Sequence, residues 1–171
     1  MINTLTKGGE TLMNRASIGS RLKKLYYERI IDAEIALCGI DETTRVLFIG
    51  GGAHPYSAYR IHEKTGAAVV TVDNRSKAVD EANRWLVSTG ENSIRAFHAE
   101  GTTVDPGGFD VILVAKQVYP KEDVLTHVLA NKDDDAIVCV RTSRRHLLPP
   151  SEQSMPVKKT LVKSLEMYRN A

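Results

Sequence analysis

Three consecutive glycines, Gly50, Gly51 and Gly52, follow the apolar run Val46-Leu47-Phe48-Ile49, and a carboxylate, Asp73, closes the next apolar run at residues 68–72. Glycines at a strand end let the backbone turn sharply and approach a ligand with no Cβ in the way. The helix that follows offers N-terminal N–H groups and a positive dipole end to an anion. An acid about 20 residues past such a loop is placed to accept hydrogen bonds from ribose hydroxyls. The pattern points to nucleotide binding on a βαβ unit, and Pro55 narrows it. The dinucleotide fingerprint G-x-G-x-x-G uses its third glycine for close helix–strand packing, whereas here Gly50-Gly51-Gly52-Ala53-His54 runs into Pro55. Proline suits a first helical turn, so the helix survives while the fingerprint is broken. The alternative is an adenosyl ligand whose amino-acid end, not a pyrophosphate, lies over the glycines.

Further polar residues fall where the same ligand would reach. Asn74 follows Asp73, and Glu100-Gly101 closes the third apolar segment. Lys116 and Gln117 follow the fourth, at the strand ends where open α/β sheets bind ligands. Arg141 ends the fifth segment and could hold a substrate carboxylate in a bidentate pair. Tyr26 and Tyr27 precede the first strand by about 20 residues and, with Lys116, are the candidates for a catalytic role. Arg144, Arg145 and His146 make a small basic cluster, read as a solvated loop. The histidines include no pair at ligand spacing with a carboxylate between them, so no metal is expected.

These residues need an alternating scaffold, and the periodicities supply one. Strands are predicted at residues 45–49, 68–72, 94–99, 109–115 and 136–140, and helices at 20–38, 55–64, from about Ser76 to Gly90, and after Pro120. The 20–38 helix carries two apolar stripes, so it should be contacted on more than one side. The first ~20 residues are expected to fray. Residues 159–168 read equally as helix or strand. The fold class is therefore α/β, a mostly parallel sheet with helices on both faces. Residues 1–44 form an N-terminal tail and helix acting as a cap, and 45–171 the ligand-binding domain.

The 171 residues, 42% hydrophobic and 26% charged, suit one globular core, and a net charge of +2 does not mark a nucleic-acid binder. No apolar run approaches the ~18 residues of a membrane span, and the start is not a secretory signal. Cys38 and Cys139 read as two buried, reduced thiols. A cytoplasmic protein with a small-molecule partner, no nucleic acid and no membrane is expected.

Val-Leu-Phe-Ile-Gly-Gly-Gly, Val-Thr-Val-Asp-Asn-Arg-Ser and Phe109-Asp110-Val111-Ile112-Leu113 resemble the first, second and fourth motifs of the class I, Rossmann-like S-adenosylmethionine-dependent methyltransferase superfamily. A narrower similarity, to its nicotianamine synthase branch, is carried by Phe48-Ile49-Gly50, Phe97-His98, Arg141-Thr142-Ser143 and Leu147-Leu148-Pro149. The resemblance implies S-adenosyl-L-methionine as cofactor, held by Gly50, Gly51, Gly52, Asp73, Asn74, Glu100, Gly101 and Lys116, with Arg141 toward the substrate. It implies methyl transfer to a small molecule, or aminocarboxypropyl transfer as in nicotianamine synthases. A non-catalytic nucleotide-binding domain is the alternative of another class, and a nicotinamide-dependent oxidoreductase is disfavoured by Pro55. The family carries Gly-Asp at the end of strand three where this chain has Glu100-Gly101. Nicotianamine synthases also carry a helical lid supplying a tyrosine and a glutamate, of which the Tyr26-Tyr27 pair and Glu34 resemble only the end. A complete methyltransferase sheet closes with an antiparallel hairpin. The chain ends about where strand seven would begin, so the sheet is expected to be truncated or its edge covered by a second subunit, as a homodimer.

Overall fold

The computed structural model describes residue 25, residues 27–143 and residues 162–167. The described residues form one six-stranded sheet in the order β3-β2-β1-β4-β5-β6. Its strands are β1 (Arg45–Ile49), β2 (Ala68–Asp73), β3 (Arg95–His98), β4 (Val111–Val114), β5 (Ile137–Ser143) and β6 (Val162–Met167). Every pairing is parallel. Central strands covered on both faces read as unbroken apolar runs: all of β4 is buried, as is β1 beyond Arg45. At the edge, β3 buries Ala96 alone.

Alternation along each strand divides the core between two faces. Val46, Phe48, Val69, Val111, Leu113 and Cys139 meet the helices α1 (residues 27–38), α2 (Tyr56–Thr65) and α3 (Ser76–Ser88). Leu47, Ile49, Ile112, Val114, Val138 and Val140 meet α4 (Lys121–Asn131) through Val124, Leu125 and Val128. The link from β3 to β4 contains no helix.

Both apolar stripes of α1 are used: Ile30, Ile31 and Cys38 are buried, and Ile35 and Leu37 partly so. A surface network also ties α1 to α2. Glu28 accepts from the Tyr56 hydroxyl (2.6 Å) and from Arg60 Nε (2.7 Å) and pairs with Lys64 (3.0 Å), while Lys64 also reaches Asp32. The bond from Arg60 does most to hold the Glu28 carboxyl down at about 2. Tyr56 is pushed up to about 12, first by burial and then by its bond to Glu28.

Two local details are set by the structure. Ser76 is the first residue inside α3, and the extended residue before it is Arg75, which makes no side-chain cap. The 159–168 segment, helix or strand by pattern, supplies the strand β6, because a parallel partner with open edge groups was available in β5.

Candidate functional site

The strand order reverses direction between β1 and β4, and open α/β sheets bind ligands outside the strand C-termini at such a point. A cleft of about 440 Å³ opens across the ends of β1, β2, β3 and β4, within the ~300–1,000 Å³ typical of small-molecule sites. Gly50, Asp73, Asn74, Glu100 and Gly101 all line it. The structure thus brings together five of the sequence-selected residues, from three separate segments.

Asp73, the last residue of β2, is buried, and its carboxylate faces the glycine loop. Oδ2 accepts the Gly52 N–H at 2.8 Å, while Oδ1 accepts the Arg75 N–H at 3.2 Å and Arg75 Nε at 3.1 Å. Beside it, Asn74 Nδ2 donates to Glu100 Oε2 at 3.4 Å. His98 Nε2 meets the Asn74 carbonyl at 3.0 Å.

The glycines act differently from one another. Gly50 and Gly51 both donate their N–H to the Val72 carbonyl, at 2.8 and 3.1 Å. A Cβ on Gly51 would stand 2.0 Å from Thr71 Oγ1, and one on Gly50 2.6 Å from Val118 Cγ2. Their smallness is consumed by the protein's own close packing. Gly52 alone opens outward, its φ of +66° in the left-handed region and its nearest neighbour Arg75 Nη2 at 3.9 Å from a would-be Cβ. The N–H groups of all three glycines are bonded within the protein, to the Val72 carbonyl and the Asp73 carboxylate.

Lys116 is exposed and does not line the cleft; its neighbour Gln117 does, donating from Nε2 to the Gly50 carbonyl at 3.2 Å. Just past β4 the chain turns, so adjacent side chains part. Lys121, which the sequence pattern passed over, holds this loop. Its Nζ donates to the carbonyls of Ala115 (3.1 Å), Lys116 (3.0 Å) and Arg141 (2.8 Å), binding the ends of β4 and β5 together. Burial, then the nearby Lys116 charge, push its ammonium below the usual lysine range. Tyr119, also unanticipated, stands 86% exposed at the cleft rim.

Arg141 is corrected as well. Its guanidinium pairs bidentately with Glu34 of α1, Nε to Oε1 at 2.6 Å and Nη2 to Oε2 at 2.7 Å, and lies 5.1 Å over the Phe48 ring. Glu34 is 0% exposed. Arg141 therefore faces a partner inside the fold and not a substrate carboxylate. The signal in sequence was Glu34 itself, an acid between the two apolar stripes of α1. Tyr27 is half-buried at the start of α1 and does not line the cleft; Tyr26 and the 144–146 cluster lie outside the described residues. Among the described residues no group of His, Cys, Asp and Glu is disposed to hold a metal, and no helix is long and apolar enough to cross a membrane.

No protein-family model and no curated protein matches the chain. Solved structures do. A mutant of MtNAS, a nicotianamine synthase, in complex with S-adenosylmethionine matches with a TM-score of 0.63 at 23% identity, covering 66% of this chain and 44% of that one. A protein-L-isoaspartate O-methyltransferase matches at 0.55 and 24%, covering 66% and 36%. An RNA methyltransferase from Salinibacter ruber, in complex with S-adenosyl-L-homocysteine, matches at 0.54 and 14%, covering 61% and 69%.

The fold is that of the Rossmann-like methyltransferases. The chain spans less than half the length of the MtNAS chain. At the edge where the resemblance implied an antiparallel hairpin, β6 pairs directly with β5, in parallel.

Proposed function

We propose that this protein binds S-adenosyl-L-methionine in the cleft over β1, β2 and β4 and transfers a group from it, the methyl group, to a small molecule. The observation that carries the reading is the buried Asp73 carboxylate, bonded to the Gly52 N–H at 2.8 Å and lining a cleft of adequate volume. The cleft fits the group: Asp73 stands where a ribose would be accepted, Glu100 and Asn74 offer an acceptor and a donor beside it, and Gly52 leaves open space above the loop. The bound sulfonium would supply an electrophilic carbon and leave as a thioether. The chain's own part is positioning: Gln117 and Tyr119 sit on a loop anchored by Lys121, and alignment with exclusion of water can carry most of the rate gain. Structures with this fold that hold S-adenosylmethionine or S-adenosylhomocysteine support the cofactor.

The second reaction, aminocarboxypropyl transfer, is favoured by the match to MtNAS, one structure of which is in complex with MTA. Product analysis separates the two: S-adenosylhomocysteine marks methyl transfer and methylthioadenosine the other. Binding with neither product makes the domain non-catalytic. The near-neutral charge of +2 favours an acceptor that is a small molecule over nucleic acid. A homodimer belongs to the same reading, because the edge strand β3 leaves Phe97 49% exposed. Light scattering that gives the monomer mass of 18.9 kDa at high concentration would sink it. A cytoplasmic location is supported by Cys38 and Cys139 being thiols with no disulfide.

A further inference from the structure

Asp73 has less to offer a ribose than its position suggests, and the shortfall lies in Arg75. An ionised carboxylate has about four lone-pair directions for hydrogen bonds. On Oδ2 one is taken by the Gly52 N–H, and on Oδ1 two are taken by the Arg75 N–H and Nε. A single direction remains, on Oδ2, while the adjacent hydroxyls of a ribose need two. The backbone donors are built into the fold, since Gly52 sits in its left-handed turn and the Arg75 N–H in the turn that enters α3. Only the guanidinium can leave. It is ready to do so: the Asp73 side chain is only 10% exposed but that of Arg75 is 68% exposed, so water competes for the guanidinium and weakens its hold. Its Nη2 lies 3.9 Å from where a Cβ on Gly52 would stand, and Arg75 lines the cleft.

We propose that Arg75 is a latch on the nucleoside site, competing with the ribose diol for Asp73 and setting the affinity of the site for ribose. The latch rests on the adenosyl-donor reading above and deepens it. A ligand with an intact ribose must displace the guanidinium, whereas a 2′-deoxy ligand can use the one direction already open. Selectivity for ribose is therefore muted while Arg75 is present and grows when it is removed.

Calorimetry with S-adenosylhomocysteine tests this, because that ligand lacks the sulfonium and carries no net charge, so a gain in affinity cannot come from relieving repulsion of the sulfonium. Arg75→Gln should bind it about two- to fivefold tighter, the factor matching the weak coupling of an exposed pair. The 2′-deoxy analogue should bind both proteins equally. Raising salt from about 50 to about 500 mM should tighten binding to the unmodified protein and leave Arg75→Gln unchanged, since the exposed pair is screened. Arg75→Lys, which keeps the charge without the planar guanidinium, should fall between. Equal or weaker binding by Arg75→Gln, or an equal gain for the deoxy analogue, overturns the latch alone. No binding of S-adenosylhomocysteine by either protein overturns the donor reading and the latch with it.

Discussion

At Asp73 one carboxylate closes the glycine loop, caps the turn into α3 and faces the cleft. Replacing it by alanine should weaken binding of an adenosyl ligand by about 1.5–3 kcal/mol, the scale for hydrogen bonds to a charged group. Unchanged affinity in calorimetry would remove Asp73 from the site. Gly51 makes a packing claim that can be tested without any ligand. Gly51→Ala drives a methyl onto Thr71 Oγ1 and should cost about 1–3 kcal/mol in chemical denaturation. Adding Thr71→Ala should return part of that loss, because the clashing oxygen is gone. No recovery in the double variant would mean that the backbone, not Thr71, excludes the side chain. Cys139 has its thiol pushed up by contact with Cys38 and by burial, so both cysteines should resist alkylation until the protein unfolds.

At the scale of elements, α1 is held to α2 by charge as well as by packing, and the charge has a pH signature. The Glu28 carboxyl is held at about 2 in the folded protein against an ordinary 4.5. A depressed acid contributes stability that is fully present above the ordinary value and is lost as pH falls through the folded one. The window therefore runs from about 4.5 down to about 2. Because the network reaches solvent, its contribution is on the order of 1–2 kcal/mol. Glu28→Gln should remove that acid-sensitive component, measured as denaturation midpoints at about pH 6, above the window, and about pH 2, at its lower end. Identical pH dependence in the variant would rule the network out as its source.

Across the whole molecule, the Glu34–Arg141 pair joins residues 107 positions apart, fastening α1 to the end of β5. Two charges taken out of water are costly, and losing one partner strands the other. Arg141→Met alone should destabilise by about 3–5 kcal/mol, whereas Glu34→Leu with Arg141→Met should recover most of it. Additive losses in the double variant would show that the two side chains are not coupled. The pair also explains why α1 is an unsuitable part to delete when testing a lid. Removing it takes Ile30, Ile31 and Cys38 out of the core, so Tyr27→Phe, compared in turnover and thermal midpoint, is the cleaner probe of a tyrosine role.

Local physics made much of this protein legible from its residues. Unbroken apolar runs identified β1 and β4 as central strands, alternating elements implied a parallel sheet, and glycines followed by an acid located the cleft at Gly50 and Asp73. These signals survive in sequence because each is set by neighbours a few residues away. What pairs across the fold was not legible. Arg141 read as a substrate contact because nothing local shows that Glu34, 107 residues earlier, fills its guanidinium. Lys116 and Gln117 could not be told apart, since which of two adjacent side chains enters a cleft depends on how the chain turns after β4. The pattern of residues 159–168 left helix and strand open, and the open edge of β5 decided it. That Val72 and Asp73 occupy the N–H groups of the three glycines was equally hidden in the sequence. Hydrogen-bond partners are chosen by distance in space, and only the tertiary structure assigns them.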